Sequence, residues 1–146
     1  MGLVKRVEVQ ALDSVKSGMV EFYTPQFSDE TVLVQIPAGL VDDLFVHHAQ
    51  TDQLLVVRGR FVLVVLRDKQ YDYIPLSAER PQVVTIPTGV PHGAINLSDE
   101  PCLLVNAVIR HGAATERDYR PLRLPYPFDL AKAQAVLAAN QLPLSA

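Results

Sequence analysis

The chain has 146 residues, 49% hydrophobic and 20% charged, with a formal net charge of -3. That is one domain's worth of globular rather than disordered sequence, and its acidic balance argues against a sequence-nonspecific nucleic-acid binder, which needs a basic face. Eleven prolines against seven glycines argue against a helical bundle, because proline is confined to the ends and edges of short elements.

Read in chain order, the pattern is one of short β-branched runs cut by turn residues. Strands are expected at Val4 to Val9, Met19 to Tyr23 and Thr31 to Ile36, the last closed by Pro37-Ala38-Gly39. Leu44 to His48 and Gln53 to Val57 follow, then Arg58-Gly59, where glycine supplies the positive φ of a tight hairpin turn. Arg60 to Leu66 is the strongest run, and a polar turn at Arg67-Asp68-Lys69-Gln70 leads to Tyr71 to Leu76. Val83 to Ile86, Gly93 to Leu97 and Leu103 to Ile109 complete ten strands, a spacing that predicts an antiparallel sandwich or barrel. Many runs are apolar on both faces, which implies shelter between two sheets or under a partner subunit. Glu116-Arg117-Asp118-Tyr119-Arg120 alternates in sign and reads as a solvated connector, and Pro121 to Phe128 as an extended strap. Asp129 can cap a helix over 130–139 that packs outside the barrel through Leu130, Ala133 and Leu137, with Asn140 and Pro143 ending it.

Cys102 has no internal partner and lies in an apolar run, so it is read as a small buried hydrophobe. No segment approaches the roughly 20 apolar residues of a membrane span. The N-terminus lacks the order of a signal peptide, and Arg6 stands where myristoylation wants Ser or Thr. A soluble cytoplasmic protein, with no membrane partner, is the expectation.

Chemistry points to the histidines His47, His48 and His92, while His111, just past the last strand, reads as a surface loop residue. His92 lies in Pro87-Thr88-Gly89-Val90-Pro91-His92-Gly93-Ala94-Ile95-Asn96. This stretch resembles the second signature of the cupin superfamily, Pro-x-Gly-x-x-His-x-x-x-Asn, although Pro81 replaces an upstream glycine. The first cupin signature aligns on Gly39, Phe45, His47, Asp52 and Gly59. Phe45 stands where the family has its first histidine, and Asp52 where it has glutamate. His48 should point to the other face of its strand from His47. The resemblance covers roughly residues 39–96 and implies an all-β, single-domain cupin jelly roll over 1–146. Its core lies at about 31–110, and the strap and C-terminal helix at about 121–141.

A second resemblance is to the dTDP-dehydrorhamnose 3,5-epimerase family, a branch of the cupins with the related dTDP-sugar isomerases. It rests on His48-Ala49-Gln50, on 54–59, on Leu76-Ser77-Ala78-Glu79, on 86–93 and on Leu97-Ser98-Asp99-Glu100. His92 matches that family's histidine. The base histidine of its Arg-Gly-Leu-His stretch has no counterpart, its active-site lysine falls on Asp52, and its acid tyrosine falls near Val105.

Three functions follow as expectations. The first, implied by this resemblance, is a cofactor-independent sugar epimerase or isomerase in which His47 and His92 move protons. Tyr71 or Tyr73 would be the donor, and His48, Arg58, Arg60 and Asn96 would bind a sugar or nucleotide-sugar. The second is a metal-dependent cupin such as a dioxygenase. His47, Asp52 and His92 have the composition of a two-histidine, one-carboxylate triad, for which iron or another divalent transition metal is the expected ion. The third is a non-catalytic small-ligand binder in which Phe45 marks a pocket without metal. The cupin resemblance also implies a homodimer, which the doubly apolar strands fit.

Overall fold

The computed structural model describes residues 6–141. Three strands precede the barrel: β1 (Glu8–Ala11), β2 (Ser14–Ser17) and β3 (Val20–Tyr23). The barrel strands are β4 (Glu30–Ile36), β5 (Gln50–Arg58), β6 (Arg60–Arg67), β7 (Gln70–Ser77), β8 (Gln82–Ile86), β9 (His92–Ile95) and β10 (Cys102–Arg110). A 3-10 turn (Glu116–Tyr119) and the helix α1 (Leu130–Asn140) follow. A five-stranded antiparallel sheet in the order β1-β8-β5-β10-β4 faces a three-stranded sheet, β7-β6-β9, while β2 and β3 form a separate hairpin. This is an all-β jelly roll with one C-terminal helix.

Local chemistry explains the turns. Gly59 joins β5 to β6 at φ 82°, and a Cβ there would lie 2.9 Å from the Pro101 carbonyl. Asp68 and Lys69 both take positive φ between β6 and β7, as a tight two-residue hairpin turn requires. Asp129 caps α1, its carboxylate accepting from the Lys132 amide at 3.0 Å.

Two apolar layers share β6. Phe61, Leu63 and Val65 point into the barrel against Leu54, Val56, Val84, Ile86 and Leu104. Val62 and Val64 point outward, under Leu44, Tyr71, Phe128, Ala133 and Leu137. The doubly apolar β6 run is therefore covered on its outer face by the chain's own helix and strap. Burying each large aliphatic or aromatic side chain in these layers stabilises the fold by roughly 1.5–3 kcal/mol.

Three expectations need correction, and one strand goes unread in the sequence. Leu44 to His48 is not a regular strand: Leu44 bridges Leu122 and Phe45 bridges His92 as isolated pairs. Ser14–Ser17 is a strand that alternation in so polar a segment did not reveal. Asp118 is not solvated; it is 2% exposed and accepts from the backbone amides of His48 and Thr115. Leu130 is exposed, so α1 packs through Ala133 and Leu137, mainly on β7. Val4, at the head of the first expected strand, and Pro143 lie outside the described residues.

Candidate active site

Three elements deliver the functional groups. His47 leaves the irregular segment before β5, Asp52 sits in the first turn of alternation of β5, and His92 opens β9 directly after the Val90-Pro91 turn. Asp52 Oδ2 lies 3.6 Å from His47 Nε2 and 3.5 Å from His92 Nε2. The two rings are 5.3 Å apart between centroids. They border a cavity of about 290 Å³ whose other walls include Phe45, Leu54, Phe61, Leu63 and Leu104, with Asp42 and Asn106 as its further polar side chains.

The site is fixed from behind. His92 Nδ1 lies 3.0 Å from the Val90 carbonyl oxygen. A carbonyl only accepts, so Nδ1 carries a hydrogen, and Nε2 faces Asp52, to which it can donate only when the ring is protonated. Asp52 is 3% exposed. Its Oδ1 accepts from Gln50 Nε2 at 2.6 Å and Asn106 Nδ2 at 3.0 Å. His47 Nδ1 is buried without a hydrogen-bond partner. The arrangement is thus two imidazoles aimed at one oxygen of a buried carboxylate, a focus of lone pairs that a proton or a cation would complete.

Burial has the largest effect on Asp52 and pushes its carboxyl up, but hydrogen bonds from His92, Asn106 and Gln50 outweigh it and hold the group below the ordinary carboxylate range. Burial lowers His47, and the attraction of Asp52 only partly offsets it. A histidine depressed in the folded state binds fewer protons than its unfolded counterpart below about pH 6.5. Its contribution is present above that pH and is lost as pH falls toward the folded value. Asp52 acts with the same sign at lower pH, from about 3.9 downward. Urea denaturation should therefore give a lower unfolding free energy at pH 5.5 than at pH 7.5, with a smaller difference in His47→Gln. Equal slopes in the two proteins would remove His47 as the source.

The other expected site residues lie elsewhere. His48 lies outside the cavity, its Nε2 3.1 Å from Arg117, in a segment where strand parity does not apply. Tyr73 is on the outward face of β7. Its hydroxyl accepts from the Asp129 amide at 2.7 Å and Lys132 sits over its ring, so it anchors α1 rather than facing the imidazoles. Tyr71 faces the same outer layer and donates to the Tyr126 carbonyl. Arg58 ends β5, six residues beyond Asp52 and so roughly 20 Å along the strand, in a groove beside Glu100 and Pro101. Arg60 begins β6 at that same end, its guanidinium against the Gln141 amide. Asn96 is fully buried, donating to the Ile36 and Glu100 carbonyls and accepting from Ser98. It staples a loop and does not line the cavity. His111 is exposed, its Nε2 against Thr51 Oγ1 at 2.8 Å. A larger cleft of about 540 Å³, lined by Arg6, Arg67, Asp72, Val65 and Val90 among others, contains no imidazole.

Gln50, Asn106, Asp42 and Phe45 were missed as site residues in their own right. Asn106 left a signal: it is a polar side chain inside the apolar run that Cys102, Leu104 and Val108 make on one parity of β10. The Cys102 thiol is buried and pushed up to about 11, which makes it a packing group.

No protein-family model matches the chain, and no curated protein matches its sequence. Solved structures match over most of its length. A dTDP sugar isomerase from Desulfovibrio desulfuricans G20 is 19% identical over 77% of this chain and 85% of its own, with a TM-score of 0.59. A dTDP-4-dehydrorhamnose 3,5-epimerase from Elizabethkingia anophelis NUHP1 is 18% identical over 77% of this chain and 74% of its own, with a TM-score of 0.62. The capsular polysaccharide assembling protein CapF from Staphylococcus aureus is 22% identical over 77% of this chain at a TM-score of 0.58, and the chain spans 34% of that protein. These likenesses establish the fold: the chain shares the antiparallel β jelly roll of these solved structures. Among the described residues, no helix is long and apolar enough to cross a membrane.

Proposed function

We propose that the chain is an epimerase or isomerase of a sugar-type substrate, acting without a cofactor by histidine acid/base chemistry. The observation that carries this reading is the convergence of His47 and His92 on the single oxygen Asp52 Oδ2, within an otherwise largely apolar cavity. One imidazole takes the proton beside a ketone, the electron pair moves onto the carbonyl oxygen, and an imidazole returns a proton to carbon. Buried Asp52 stabilises whichever ring is charged. A nucleotide-linked sugar is the ligand class that the fold's neighbours suggest, and one unpaired buried cysteine fits a cytoplasmic setting. With dTDP-4-dehydrorhamnose as probe in deuterated water, mass spectrometry should detect deuterium entering the sugar, and His92→Ala should abolish it. Binding without wash-in would leave a non-catalytic binder.

A second reading has its own observation. One ligand atom from each of His47, Asp52 and His92 lies within 4.8 Å of the others. Bonds of about 2.0–2.2 Å to a shared ion put neighbouring donors about 3–3.5 Å apart; Asp52 Oδ2 stands 3.6 and 3.5 Å from the two Nε2 atoms, so a small inward shift would let these residues hold a divalent transition metal, iron included. Such an ion would supply Lewis-acid or oxygen-activating chemistry. Stoichiometric metal in purified protein, lost in His47→Ala, would favour this reading over the first; chelation would then abolish activity.

The working form we propose is a homodimer. Val15, Phe22 and Leu33 are 72%, 59% and 65% exposed, and a two-stranded hairpin such as β2-β3 is marginal alone. A second copy covering this surface and the open edge of β4 accounts for both. Sedimentation at micromolar concentration should give twice the chain mass, and half that for the Phe22→Asp, Leu33→Asp variant. A monomeric parent chain would overturn the proposal.

A further inference from the structure

The two oxygens of Asp52 are treated unequally, and the inequality originates outside the cavity. Arg110, at the end of β10, donates from Nη1 to Gln50 Oε1 at 2.8 Å. Its Nη2 pairs with Glu30 on β4, and its main-chain amide donates to Asp29 at 2.8 Å. β4, β10 and β5 are adjacent in the sheet, with Arg110 directly opposite Gln50 and Val108 opposite Glu30. The contacts therefore run across the sheet from Glu30 through Arg110 and Gln50 to Asp52.

A guanidinium only donates, so it dictates which end of the Gln50 amide faces it. With Oε1 held by Arg110, Nε2 points to Asp52 Oδ1. Asn106 supplies the second donor to that oxygen and is itself oriented by the Gln53 amide at 3.0 Å. With Oδ1 held twice, the carboxylate cannot turn about its Cβ–Cγ bond without breaking both bonds, and Oδ2 alone meets the imidazoles. Without Arg110 the Gln50 amide loses the contact that holds its oxygen, and its side chain is free to turn away from the carboxylate.

We propose that Arg110 and Gln50 are positioning residues, a clamp across three strands that sets the rotation of the Asp52 carboxylate and thereby which oxygen both imidazoles meet. The proposal rests on the reading of His47, Asp52 and His92 as the working groups, though not on which chemistry they perform.

The test compares the parent chain with Arg110→Met, Arg110→Lys, Glu30→Gln and Gln50→Leu. Circular dichroism and thermal midpoints identify the variants that keep the fold. Long-range ¹H–¹⁵N spectra at one fixed pH then report the ring nitrogens of His47 and His92. Arg110→Met and Gln50→Leu should move both sets of ring signals in the same direction. Arg110→Lys, which keeps one donor, should move them back toward the parent positions, a rescue that general packing would not produce. Wash-in should fall about 10- to 100-fold in Arg110→Met, the usual effect of removing a group behind a site, and recover in part in Arg110→Lys. Ring signals that respond while even the parent shows no wash-in would support the clamp and reject the isomerase reading. Unmoved ring signals in a folded Arg110→Met or Glu30→Gln protein would overturn the clamp.

Discussion

Asp52→Leu is expected to eliminate deuterium wash-in and to lower the unfolding free energy by about 2–4 kcal/mol. Leucine fills a similar volume, so the cost comes from polarity rather than from a cavity. Gln50 Nε2 and Asn106 Nδ2 would each lose the carboxylate acceptor, and a buried donor left without a partner costs roughly 1–3 kcal/mol. Asp52→Asn separates stability from chemistry. Its carbonyl oxygen can still accept both amides, but an NH₂ group would replace Oδ2 opposite the imidazoles, where it cannot stabilise a charged ring. That variant should stay within about 1 kcal/mol of the parent, the net worth of one hydrogen bond, and be as inactive as Asp52→Leu. Urea melts followed by circular dichroism, with the wash-in assay, check both. Full activity in either variant would remove Asp52 from the reaction.

Gly93→Ala is the second large effect. A Cβ on Gly93 would lie 2.5 Å from the Asp43 carbonyl oxygen and 3.4 Å from its carbon. These are backbone atoms, so the clash is relieved only by moving the segment that pairs Phe45 with His92. Overpacking of this kind costs about 1–3 kcal/mol, and the displaced segment carries Asp42 and Phe45 of the cavity wall. Gly93→Ala should thus lose stability and wash-in together, whereas Gly39→Ala, with nothing within 4 Å of its Cβ but a φ of +76°, should lose stability with less effect on the site. A Gly93→Ala protein with the parent's urea midpoint would show that the segment moves freely.

The same pair of residues marks where sequence reading succeeds and where it stops. β4 to β10 were legible because β-branched runs and turn residues alternate at strand length, and because the two cupin signatures bracket a single hairpin. His47, Asp52 and His92 were legible as a set through those signatures. Leu44 to His48 was read as a strand because its composition is that of one. The registers of Val41 with Ile95 and Phe45 with His92 differ by one residue, so the segment bulges, and no pattern in one strand reports the partner that forces this. Tyr73 and Asp118 failed for a related reason. A tyrosine in an alternating strand and an aspartate in a charged connector look alike whichever layer they face, and only the packing of α1 and the His48 backbone decides. Arg58 and Arg60 flank a turn, but their distance from Asp52 depends on which end of β5 the cavity opens.

The bridge between Leu44 and Leu122 gives the molecule an order of assembly. The segment carrying Asp42 and Phe45 is pinned on one side by β9 and on the other by the strap, where the Leu122 amide donates to the Leu44 carbonyl at 2.7 Å. His47, Asp52 and His92 all leave the ribosome before Leu122 does. A nascent chain that has just released β10 therefore holds every group proposed for the chemistry, while the segment that carries Asp42 and Phe45 still lacks its hydrogen bond to the strap. During synthesis, the groups proposed for the chemistry come into being ahead of the last contact that pins their neighbouring wall segment.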